Sequence, residues 1–268
     1  MSVKAISSRD NAQYKALKQL ASSAQARRKL GQTLLDGVHL CEAWLDHRGT
    51  PTLCVISEAM RGHPEVTSIV TRCVSLGTSC LALPDAMFAS LSQVEHGPAL
   101  LFVVEVPQSQ RPPVINGLAV LLDGVQDPGN LGSILRSAAA AGVGQVICGR
   151  GTAAAWSPKV LRAAMGAHFV LDIVEHADLR TVIAGAHLPV YATSSHASTS
   201  IYATDLAGPC AWLFGHEGAG VSAELAPLVS RELTIPQQAG IESMNVAAAA
   251  AVCLFEQRRQ RLASSRAV

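Results

Sequence analysis

Past residue 117, strand-like apolar runs and helical stretches alternate with short polar breaks between them. No other feature narrows the fold as much. Strands are expected over 118–122, 145–148, 169–173, 189–193, 210–214 and 232–235. Helices are expected over 131–141, 159–165, 178–186, 223–229 and 243–261. Such alternation makes a parallel sheet with helices on both faces. Ligands in such sheets bind outside the carboxyl ends of the strands.

The first third reads as a separate, smaller α/β unit. The segment 11–30 lacks Gly and Pro, and its Tyr14, Leu17, Leu20 and Ala24 fall on one stripe, which predicts a single helix. Strands are expected over 53–57, 73–76 and 100–106, with helices over 39–47 and 84–92 between them. The stretch 107–117 carries Pro112-Pro113, which resists helix and sheet alike. The expected organisation is therefore a domain over 1–106, a linker over 107–117 and a second domain over 118–268. A long surface loop within one domain would fit the same stretch.

Composition excludes several classes. Apolar residues make up 49% of the 268 and charged residues 15%, which is not a disordered composition. The longest uncharged apolar run, 246–255, is about half of what a bilayer span needs. Residues 1–10 have no apolar core, so no secretory signal is expected and a cytoplasmic protein is. The seven cysteines form no C-x-x-C pair and the histidines no H-x-x-x-H pair, so neither disulfides nor a metal site is expected. Charge is uneven. Residues 1–30 carry seven basic side chains against Asp10 alone, and the tail from Phe255 is basic too, while the middle is acidic. Phosphate binding would ask for such basic ends, although a solvated helix face reads the same way.

Three loops follow apolar strands and carry the chemistry. In the first, Asp127-Pro128-Gly129 is a turn and Asn130 a suitable helix N-cap. Arg136 then stands in a small, apolar helix with no neighbouring acid, suited to phosphate or to an ion pair elsewhere in the fold. The second, 213–222, holds Gly215, Gly218 and Gly220 around a lone Glu217. It is either a set of exposed backbone amides for a ligand or a plain turn. In the third, 235–245, Pro236 stops a strand, Gly240 permits a bend, and Ser243 and Asn245 sit where a terminal helix begins, with capping as their simplest role. No Walker loop and no G-x-G-x-x-G is present.

Taken in order, these loops resemble the three motifs of the SpoU/TrmH class of SPOUT RNA 2′-O-ribose methyltransferases. The matching pieces are Asn130-x-Gly132-x-x-x-Arg136, Gly215-x-Glu217-Gly218-x-Gly220, and Ile235-Pro236 leading to Ser243-Met244-Asn245-Val246. His216 stands where that class often has Asn or Ala, Met244 where Leu is commoner, and Ala247 where Ser is common. The front of the chain is similar to the substrate-binding domain many of these enzymes carry, a small α/β RNA-binding fold. Ser8-Arg9-Asp10-Asn11 and the stretch from Arg27-Arg28-Lys29 to Leu34-Leu35-Asp36-Gly37 carry that likeness.

The resemblance implies a parallel-sheet domain with a deep trefoil knot, binding S-adenosyl-L-methionine without a metal. Gly215, Ile235 and Met244 would contact the cofactor, with Thr193, Leu213 and Gly220 as further candidates. Arg136 would act as base or orient the 2′-hydroxyl, and Asn130 would position the ribose or Arg136. Glu217 would hold Arg136 or fix the cofactor loop, and Ser243 and Asn245 would hold substrate and the third loop. Arg9, Lys15, Arg27, Arg28 and Lys29 would grip structured RNA, ribosomal RNA before tRNA. A homodimer through the knot domain is implied too. A non-catalytic RNA-binding assembly factor on the same fold stays open at this point, as does an ordinary doubly wound nucleotide enzyme.

Overall fold

The computed structural model describes residues 3–94, 97–107, 113–241 and 243–265. In chain order the elements are β1 (Lys4–Ala5), α1 (Ala12–Ser22), α2 (Ala24–Leu30), β2 (Gln32–Asp36), α3 (Val38–His47), β3 (Leu53–Ser57), α4 (Pro64–Ser75), β4 (Ser79–Leu83), α5 (Asp85–Ala89) and β5 (Leu100–Glu105). There follow β6 (Ala119–Leu122), α6 (Pro128–Ala141), β7 (Gln145–Gly149), α7 (Pro158–Ala164), β8 (Asp172–Ala177), α8 (Leu179–Ala184), β9 (Val190–Thr193), β10 (Ala211–Phe214), β11 (Arg231–Leu233) and α9 (Val246–Ser265). Two compact units result: Met1–Pro107 with Trp156–Phe169, and Gln108–Ala155 with Val170–Val268.

The first unit is built on a five-stranded mixed sheet in the order β1-β4-β3-β5-β2, in which β5 runs antiparallel to both its neighbours. The segment 156–169 was expected in the second domain, yet it packs here. Buried Thr33 donates its hydroxyl to the Trp156 carbonyl at 2.7 Å, and Arg162 donates to the Gln93 carbonyl at 2.7 Å. Phe169 meets Trp44 edge-on at 5.6 Å between centroids. Aromatic burial of this size outweighs chain order in deciding where a short segment settles. Residues 108–112 of the expected linker lie outside the described residues, as does Arg266 of the basic tail.

Two local expectations fail in this unit. The helix expected over 11–30 is broken at Ser23, whose backbone is extended. Its hydroxyl accepts from the Ala26 N–H while its own N–H closes α1 on the Gln19 carbonyl. Ser is a strong N-cap, and here it starts a second helix without Gly or Pro. The strand expected over 73–76 is the end of α4. Val66, Ile69 and Cys73 are its buried stripe, and Gly77 at φ +80° turns the chain into β4.

The second unit is a six-stranded sheet, β11-β9-β10-β6-β7-β8, with every pairing parallel. Alternation sorts its side chains. Leu121, Ile147, Val190 and Leu213 form one face and pack with Leu179, Val182 and Ile183 of α8. On the other face Trp212, fully buried, donates its indole N–H to Gln257 of α9 at 2.9 Å, and Gln257 in turn donates to the Cys210 sulfur. Burial of the Trp212 and Gln257 polar groups is tolerated because these bonds satisfy them. Helices α6 and α9, both rich in Ala, lie against each other.

Element ends moved where tertiary hydrogen bonds overrode pattern. β8 starts at Asp172 rather than 169, because 167–169 is a 3₁₀ turn. The short helix expected over 223–229 is one 3₁₀ turn at Ala226–Leu228, and α9 begins at Val246 rather than 243. All seven cysteines are buried and free. Among the described residues no helix is long and apolar enough to cross a membrane.

Candidate active site

The parallel sheet delivers Thr193, Phe214 and Leu233 to one edge at the ends of β9, β10 and β11. A cleft of about 340 Å³ opens there. Of the residues singled out in the sequence, Thr193, Gly215, Gly220, Ile235, Ser243, Met244 and Glu217 line it. Leu213 does not: it is fully buried in β10, packed in the core beneath α8. Its neighbour along the strand faces the other way, as a period of two requires.

The glycine loop after β10 is a closed turn. His216 and Gly220 exchange two backbone hydrogen bonds, at 2.9 and 2.8 Å. Gly220 sits at φ +68°, and a Cβ on Gly215 would overlap the backbone of Gly220 and Val221. The N–H groups of Gly218 and Ala219 donate to His216 Nδ1 at 3.0 and 3.2 Å. The N–H groups of His216, Gly218, Ala219 and Gly220 are therefore already used inside the turn, and the loop offers glycine surface as well.

Glu217 does not hold Arg136. Its carboxylate accepts from the Asn130 side-chain amide at 3.1 Å and from the backbone N–H of Asp127 and Gln126 at 3.1 and 3.2 Å. Partial burial alone would raise its pKa. The hydrogen bonds from Asn130 and from the Asp127, Glu217 and Gln126 N–H groups overcome that and hold it down to about 2. The N-cap of α6 is Asp127, not Asn130; Asp127 accepts from the Asn130 N–H at 2.8 Å, with Pro128 at the first helical position. Asn130 is displaced into the first turn, where its side chain is free to reach outward.

Asn245 completes the chain of contacts. Its Oδ1 caps α9 through the Ala247 and Ala248 N–H groups, and its Nδ2 donates to Asn130 Oδ1 at 2.9 Å. Asn245, Asn130 and Glu217 thus join all three loops. A second clasp had no signal in the sequence: Asp123 Oδ2 accepts from the Ser222 N–H at 2.8 Å.

Arg136 lies on α6, exposed, and its side chain makes no hydrogen bond or ion pair to any described residue. It is not part of the cleft wall. The basic residues of the first unit behave differently from one another. Lys15 pairs with exposed Asp10 at 2.9 Å, and Arg27 donates to the Leu20 carbonyl at 2.7 Å, closing α1. Arg9, Arg28 and Lys29 have no such contact among the described residues.

A family profile described as the SpoU rRNA Methylase family matches residues 117–255. The chain belongs to this family. Among its relatives, the 23S rRNA (guanosine(2553)-2'-O)-methyltransferase RlmP of Bacillus subtilis is 30% identical, over 96% of this chain and 100% of its own. A 23S rRNA (uridine(2479)-2'-O)-methyltransferase of Streptomyces viridochromogenes is 28% identical over 94% and 91%. The AdoMet-bound rRNA methyltransferase of Sinorhizobium meliloti superposes with a TM-score of 0.84 at 28% identity, covering 96% of this chain and 98% of that one.

The cleft also has walls that the motifs did not single out. Ser194, Ser195 and His196 continue past Thr193, and Glu232 and Gln237 flank Ile235. The rule that ligands sit beyond strand ends pointed at residues after β9, but no residue pattern separated these from an ordinary loop.

Proposed function

We propose that this protein transfers a methyl group from S-adenosyl-L-methionine to a ribose 2′-hydroxyl of RNA, ribosomal RNA before tRNA, in the cytoplasm. The observation that carries the reading is the Asn245–Asn130–Glu217 chain, which gathers three separate loops beside one cleft.

The cleft fits the cofactor. Its volume of about 340 Å³ is within the usual range of small-ligand sites, roughly 300–1,000 Å³. Its walls combine glycine surface, Ile235 and Met244 with polar Thr193, Ser243 and Glu232. Gly215, Gly220, Ile235, Met244 and Thr193 hold the cofactor in this reading. S-adenosyl-L-methionine supplies a methyl group already activated on a sulfonium, so the chemistry calls for no metal. Arg136 binds a substrate phosphate and orients the hydroxyl. A guanidinium is a poor base, so it serves in placement first. Asn130 sets the ribose against it. Glu217 stays ionised, fixes Asn130 and joins the first loop to the second; Ser243 and Asn245 steady the third.

Arg9, Arg28 and Lys29, together with the more constrained Lys15 and Arg27, grip structured RNA by its backbone. Knotting of the second unit belongs to the same proposal. After edge strand β11 the chain runs to α9, which packs on α6, the helix following β6, and this return past two intervening strands supports it. A homodimer through that unit is also proposed.

The test is tritium transfer from labelled S-adenosyl-L-methionine to total RNA from cells lacking this protein, followed by size separation. Label in large-subunit ribosomal RNA is expected. Label in the tRNA band would change the substrate and keep the reaction. No label in any fraction, with cofactor shown to bind, would overturn the activity in favour of an RNA-binding assembly factor.

A further inference from the structure

The side chain of His216 is half-buried at the cleft, directly after Gly215. Its Nδ1 receives the N–H groups of both Gly218 and Ala219. Both are donors, so Nδ1 is an acceptor and carries no proton. A neutral imidazole with a bare Nδ1 keeps its proton on Nε2. The two backbone bonds between His216 and Gly220 close the turn at its base, and the imidazole fills it from within. Gly215 then packs flat against Gly220 and Val221. Remove the ring acceptor and two N–H groups lose their protein partner, leaving a glycine-rich turn with little else to define it.

We propose that His216 is a positioning residue of the cofactor cleft: its Nδ1, as acceptor, holds the Gly215–Gly220 turn in the shape that forms one wall. This inference rests on the cleft being the S-adenosyl-L-methionine site.

The charged groups around the turn are accounted for. Glu217, next in the chain, is committed to Asn130 and to the N–H groups of Gln126 and Asp127. Asp123, from the loop after β6, is held by the Ser222 N–H. Glu232 and His196 line the same cleft from the ends of β11 and β9. The Gly218 and Ala219 N–H groups are held by Nδ1 of His216 and by none of these groups.

The experiment is calorimetric titration of the full chain with S-adenosyl-L-methionine at pH 8, for wild type, His216→Asn and His216→Ala. Asn offers an Oδ1 acceptor in place of Nδ1. His216→Asn is expected to bind within about threefold of wild type. His216→Ala is expected to bind about tenfold more weakly, so that the conservative variant rescues the loss. Full affinity in His216→Ala, or a loss in His216→Asn as large as in His216→Ala, would overturn the proposal. Should His216→Ala not fold, a loss of about tenfold or more in His216→Asn overturns it and binding within about threefold supports it. Wild type that binds no cofactor would instead overturn the assignment of the cleft, and this inference with it.

Discussion

Asn245 and Asn130, 115 residues apart in sequence, share a side-chain hydrogen bond of 2.9 Å, while the remaining oxygen of Asn245 caps the terminal helix. One amide thereby ties the start of α9 to the start of α6. Asn245→Ala removes both functions. A lost cap costs about 1 kcal/mol, so the melting temperature should fall by about 2–4 °C in thermal denaturation. Methyl transfer should fall further than stability does, by more than about tenfold, because Asn130 loses its fixed orientation.

Arg136 gives the opposite balance. Its side chain has no ion pair or hydrogen bond among the described residues, so Arg136→Ala should change stability by less than about 0.5 kcal/mol. Single-turnover methyl transfer should drop by at least about 100-fold. In RNA titrations at several salt concentrations, loss of one phosphate contact should make the slope of log affinity against log salt shallower by about 1.

Glu217 predicts a pH dependence. Its pKa is held at about 2, below the ordinary value of 4.5, so its ionised form is favoured in the folded protein. The stability it contributes is complete above about pH 4.5 and is lost as pH falls through about 2. Glu217→Gln should therefore melt below wild type at pH 7, with the gap closing between about pH 4.5 and 2. A gap that stays constant over that range would contradict the assignment.

Gly215 tests the closed turn. Its φ is not in the left-handed region, but a Cβ there would overlap the Gly220 carbonyl group. Gly215→Ala should cost about 1–3 kcal/mol in chemical denaturation, as overpacking does. Cofactor affinity should weaken at the same time.

The residues of the site were visible as a set before their contacts were. Glu217, Asn130 and Asn245 stood out as polar groups in glycine-rich loops after apolar strands, and the fold brings them together. Their pairing was not visible. A lone carboxylate near a lone Arg invites an ion pair, yet Glu217 turned to Asn130 and to two backbone N–H groups. Three fixed donors on a helix start outbid one flexible guanidinium. The basic front segment was equally visible, but Arg27 was drawn into capping the end of α1.

Local periodicity by itself determined most of the architecture: the parallel α/β order after residue 118, the amphipathic stripe of Tyr14, Leu17 and Leu20, and the burial of cysteines set in apolar runs such as Cys54 and Cys148. Each depends on residues within a few positions of one another, where backbone geometry and water exclusion act directly. Only the tertiary structure decided that 156–169 joins the first unit, that Ser23 divides a helix, and that His216 consumes the amides of its own loop. Those outcomes hang on which donor meets which acceptor, and on where an aromatic side chain finds a dry surface. Both are settled across distances in sequence that no local pattern encodes.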